Sequence, residues 1–89
     1  MKTLADLKRI KPGTTLRMTY HLHGVPEFMK ERKVHRVQSN ALTLWTKKED
    51  KECESWLYFP KAKDFKGTDK GFIILLEGKR FMEYEVVDA

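Results

Sequence analysis

Between Thr14 and His23 the chain alternates strictly. Leu16, Met18, Tyr20 and Leu22 fall on one parity, and Thr15, Arg17, Thr19, His21 and His23 on the other. Such a period of two specifies a β-strand with one face buried and one face wet. Because a lone strand cannot cover its apolar side, the pattern demands a sheet curved around a core. The wet side carries Arg17, His21 and His23 in a row.

The end of the chain repeats the signal. Phe72 to Glu77 and Arg80 to Val87 are two β-rich runs separated by Gly78-Lys79, a hairpin with glycine at the turn. On the return strand Met82, Tyr84 and Val86 face inward, and Ile73 and Leu75 are expected in the core with them, while Glu83 and Glu85 form an outer acidic stripe. Lys30 to Gln38 is a further strand, in which Val34 and Val37 have opposite parity, so a bulge is expected between them. Ser39-Asn40 is a turn, and Ala41 to Lys47 is a strand with Leu42 and Leu44 inside and Thr43 and Trp45 outside. Lys48 to Glu54 reads as a charged loop tip, and Ser55 to Phe59, with Leu57 inside, as a short strand ended by Pro60. Lys61 to Gly71 reads as a helical turn followed by an irregular loop. At the start, Thr3 with Asp6 three places on resembles a capping box, with Leu4, Leu7 and Ile10 at helical spacing before Pro12-Gly13.

These elements define an all-β class. Five to six short antiparallel strands in 89 residues must curl to enclose one small core, giving a single domain over 1–89. In strand count and length the layout resembles an SH3-like small β-barrel with a short N-terminal helical turn. A five-strand oligonucleotide-binding barrel and an open α+β sheet are the alternatives. No run approaches the roughly 18 apolar residues that span a bilayer, and the charged N-terminus does not read as a secretion signal. The single Cys53, set among Glu49, Asp50, Glu52 and Glu54, excludes an internal disulfide and points to a reducing, cytoplasmic setting. Those carboxylates also disfavour a reactive thiolate.

The net charge of +5 is unevenly spread, since residues 1–36 hold nine Lys or Arg against three acidic residues. A basic third can mark a face for phosphates or acidic proteins. His21, His23 and His35 would converge if position 21 lay opposite 35, but Arg17, Lys33 and Arg36 would repel a cation, and no carboxylate is placed to orient the rings. No metal or other cofactor is expected. Catalysis is disfavoured as well: Ser39 and Ser55 lack a nucleophile-elbow pattern, and Gly67, Gly71 and Gly78 are isolated, with no phosphate loop.

The reading that remains is a non-enzymatic binding module. Its contact residues are expected to be Arg17, His21, His23, Arg32, Lys33, His35, Arg36 and Trp45, with Trp45 and Tyr58 offering rings for base stacking. Nucleic acid is the first expectation for a partner. An acidic protein partner, met by an adaptor or inhibitor of the kind carried by phages or plasmids, or by a second copy of the chain, is the alternative.

Overall fold

A computed structural model describes residues 1–49 and 51–88. The N-terminal helix α1 (Leu4–Lys8) begins as its sequence requires: Thr3 Oγ1 accepts from the Asp6 N–H, and the Asp6 carboxylate accepts from the Thr3 N–H. Leu7 is fully buried, and Leu4 and Ile10 pack against the core beside it. Among the described residues no helix is long and apolar enough to cross a membrane.

Seven strands follow: β1 (Thr15–His21), β2 (Glu31–Val37), β3 (Ala41–Lys48), β4 (Lys51–Tyr58), β5 (Phe65–Gly67), β6 (Gly71–Leu76) and β7 (Lys79–Asp88). They form one antiparallel sheet in the order β4-β3-β2-β1-β7-β6-β5. Two consecutive meanders, β1 to β4 and β5 to β7, are thus joined along β1 and β7. The all-β expectation holds, but among the described residues there are seven strands, and the sheet ends at β4 and β5 instead of closing on itself. The additional strand is β5, which falls where an irregular loop is expected. The charged segment 48–54 is not a loop where it is described either, because β3 and β4 pair as far as Lys48 and Lys51, while Asp50 lies outside the described residues. Glu49, directly after β3, is a turn residue at φ 51°. In the β6–β7 hairpin the turn residues are Glu77 and Gly78, at φ 52° and 79°. Two positive φ values characterise a type I′ turn, which suits the twist of paired strands.

Leu16, Met18, Val34, Leu42, Leu44, Leu57, Phe72, Ile74 and Tyr84 form the buried core with Leu7. Phe65, Phe72 and Tyr84 stack in series across β5, β6 and β7, with ring centroids 5.8 and 5.2 Å apart. At Gly71 a Cβ would collide with the Tyr84 carbonyl, so glycine lets β6 approach β7 at this point.

Bulges decide which face each residue takes. The pairing of β2 with β3 shifts between Val34 and Arg36, which turns both Val34 and Val37 toward the core, as their mismatched parity predicts. A second shift, between Met18 and Tyr20, interrupts the alternation of β1. Leu16 and Met18 stay inside, whereas Tyr20 turns outward beneath the Arg80 guanidinium, 3.7 Å from its ring centroid. Beyond His21 the strand ends, which leaves Leu22 47% exposed. Tyr20 and Leu22 are therefore not core residues. Nor are Ile73 and Leu75, because Phe72 pairs with Tyr84 and Ile74 with Met82, which gives the inner face to the even positions.

That parity has a direct test by denaturant unfolding. Ile74→Ala removes a side chain 5% exposed and is expected to cost about 2–5 kcal/mol, as for other buried Ile-to-Ala changes. Ile73→Ala on the outer face should cost well under half as much. Equal losses would contradict the register.

Candidate nucleic-acid interface

The bulge in β2 places two successive basic residues, His35 and Arg36, on the outer face of the sheet. The His35 ring tilts against Trp45 of β3 at 4.1 Å between centroids. Arg36 reaches across β3 to Glu54 of β4, donating from Nε at 2.8 Å and Nη2 at 2.9 Å. Thr43, between them and fully buried, accepts from the Arg36 backbone N–H and donates its hydroxyl to Glu54 at 2.9 Å. His35 Nε2 lies 3.6 Å from the same carboxylate. Chiefly through the Arg36 hydrogen bonds, the Glu54 carboxyl is held below its ordinary value despite some desolvation.

The remaining expected contact residues do not join this group. Arg17 is on the outer face, but its Nη2 donates to Glu85 at 2.8 Å and its Nη1 lies 3.6 Å from Glu31, so its charge is compensated and its acidity further weakened. Glu85 thus complements the basic first third within the fold, while Glu83 pairs with Arg80. Arg32 is buried, at 7% exposure, because it sits opposite Leu16 on the inner face. The histidines do not converge. Thr15 pairs with Lys33 and Arg17 with Glu31, a register that carries His35 away from His21. His21 and His23 instead cluster with Phe81 at the end of β1, where His21 Nδ1 accepts from the His23 N–H at 3.1 Å. Burial first, and the neighbouring His23 second, push His21 below the ordinary imidazole value. Among the described residues no group of three His, Cys, Asp or Glu is arranged to hold a metal ion.

Lys33 is exposed, and no described carboxylate forms an ion pair with it. The outer face also carries Trp56 and Tyr58 of β4, 46% and 64% exposed, with rings 6.3 Å apart and 20° from parallel. The Arg36 guanidinium lies 5.8 Å from the Trp56 ring. Trp56 is absent from the contact residues expected from sequence. Its spacing of two from Tyr58 in a continuous strand is the signal that would have found it, had β4 been read as starting before Ser55. Comparison of the chain with protein-family models, curated proteins and solved structures finds no match.

The Glu54 network predicts a pH dependence of stability. A carboxylate lowered in the folded state contributes stability that is complete above its ordinary value of 4.5 and is lost as the pH falls through the folded value. Glu54→Gln should therefore be less stable than the wild type at about pH 7, with the gap closing at about pH 3. Chemical denaturation at the two pH values checks this, and a gap of constant size would contradict the Arg36 pairing.

Proposed function

We propose that this chain is a non-enzymatic binding module for single-stranded nucleic acid, using the outer face of β2, β3 and β4. The observation that carries the reading is the exposed, nearly parallel Trp56–Tyr58 pair beside the Arg36 guanidinium. Neighbouring aromatic rings on a sheet accept successive bases without regard to sequence, and cations beside them meet the phosphates. Trp45 with His35 extends the aromatic surface, and Lys33 adds charge toward β1. Arg36 reaches phosphate by exchanging part of its Glu54 bond. Arg32 has no part in this face because it is buried, and Arg17 because it lies on β1. In strand lengths and curvature we liken the module to an SH3-like barrel left open at one seam, and we assign it to the cytoplasm on its lone Cys53.

A second reading has its own support. β4 is eight residues long and, among the described residues, pairs on one side alone, with β3. An open edge of that length accepts a strand from a protein partner, including a second copy.

Fluorescence anisotropy with a labelled single strand and the matching duplex, at about 50 and 200 mM salt, tests the first reading. The single strand should bind more tightly. Stacking contributes about 1–3 kcal/mol per base, so Trp56→Ala with Tyr58→Ala should weaken binding at least tenfold at either salt concentration. Lys33→Ala with Arg36→Ala should flatten the salt dependence. Equal affinity for duplex, or an aromatic double variant that binds normally, would contradict the proposal and favour a protein partner.

A further inference from the structure

We propose that the seam between β4 and the β6–β7 hairpin is a binding site for a small amphipathic anion, a carboxylate on an apolar body, with Arg32 as the group that recognises its charge. The site does not need the outer-face reading, although Trp56 and Tyr58 stand at its rim, because the charge it offers is that of the inner-face Arg32.

A cavity of about 510 Å³ opens where the sheet fails to close. Ser55 to Pro60 line it consecutively, so β4 and the residues after it meet the cavity along an edge. Across from them stand residues of the hairpin, and Met18, Phe28, Leu57, Ile74, Phe81 and Met82 make much of the lining apolar. The volume lies within the roughly 300–1,000 Å³ of small-molecule sites, which are mostly apolar with a few placed polar groups.

Arg32 is the charged group at this cavity that burial isolates most. It is 93% removed from solvent by its 7% exposure, and its two side-chain hydrogen bonds go to neutral hydroxyls, Thr46 Oγ1 at 3.1 Å and Tyr84 Oη at 3.3 Å. Its Nε, fully buried, finds no acceptor among the described residues. The Phe28 ring lies 5.2 Å from the guanidinium. Asp64 also lines the cavity, but it forms no ion pair with Arg32. A position that only filled space would favour Met or Leu, since a desolvated cation without a counter-charge is costly. A carboxylate supplies that counter-charge and can accept two parallel N–H bonds from a guanidinium. The apolar body attached to it covers the rest of the lining. His21, at the same cavity, favours its neutral form and adds no competing positive charge.

Decanoate, decanol and decyltrimethylammonium share an apolar body and differ in charge, so titrating each into the intact protein separates charge recognition from greasiness. Thermal unfolding and tryptophan fluorescence report binding, and the Arg32 Nε–H proton resonance reports where it occurs. Decanoate is expected to raise Tm saturably, to bind at least about tenfold more tightly than decanol, and to shift the Arg32 Nε–H signal, while the ammonium has no such effect. Arg32→Met should erase the preference, leaving decanoate no better than decanol. If that variant does not fold, the wild-type resonance still decides. Equal binding of decanoate and decanol to the wild type, decanoate binding that leaves Arg32 Nε–H unmoved, or no binding of decanoate would each overturn the proposal.

Discussion

One buried cation ties the two halves of the sheet together. Arg32 of β2 donates to Thr46 of β3 on one side and to Tyr84 of β7 on the other, so a single guanidinium bridges the two meanders across the interior. Tyr84 in turn stacks on Phe72, and Thr46 shares a hydrogen bond with Ser55 of β4 at 2.7 Å. A chain of contacts therefore runs from β5, through the arginine, to β4. Hydrogen bonds to a charged donor contribute about 1.5–3 kcal/mol each, against a desolvation cost of several kcal/mol per buried ion. The two sums are of similar size, so the bridge fixes geometry more than it adds stability. Burial also raises the Tyr84 hydroxyl above its ordinary value, the nearby Arg32 opposing this in part, so the phenol remains a neutral acceptor for the bridge.

Where the backbone bulges, chemistry changes sides. In β2 the bulge sends His35 and Arg36 together to the outer face and lets Val34 and Val37 share the inner one. In β1 the shift after Met18 sends Tyr20 out and turns His21 toward the seam. One added residue in each of the two strands thus sorts the side chains between an aromatic, basic outer face and an apolar cavity. The two faces have different electrostatics for the same reason. Outside, Arg17 and Arg36 meet Glu85 and Glu54 in solvent-screened pairs; inside, the side-chain hydrogen bonds of Arg32 go only to hydroxyls among the described residues.

Much of the fold was legible in the sequence. The Thr3–Asp6 capping box, the Val34–Val37 parity mismatch and the glycine of the last hairpin are local signals, each with a local cause, and the structure bears them out. Registers are not local. The parity of Phe72 and Ile74 is set by their pairing with β7, which the unbroken apolar run of five residues from Phe72 to Leu76 does not reveal, and the same holds for Tyr20, whose side depends on a bulge opposite Glu83. The site was less legible than the fold. Basicity counted along the chain does not reveal that Glu85 and Glu54 fold back onto Arg17 and Arg36, and an arginine between Glu31 and Lys33 carries no mark of burial. Lys33, His35, Arg36 and Trp45 do share one face, and β3 carries Trp45 there because its alternation is uninterrupted.

Hydrogen exchange of the Arg32 Nε–H in the ligand-free protein, followed by NMR beside that of the exposed Arg9, tests the buried bridge most directly. A guanidinium sealed between Thr46 and Tyr84 should exchange far more slowly than Arg9. Exchange as fast as that of Arg9 would mean that Arg32 faces solvent, and both the bridge between the meanders and the charge at the seam would fall with it.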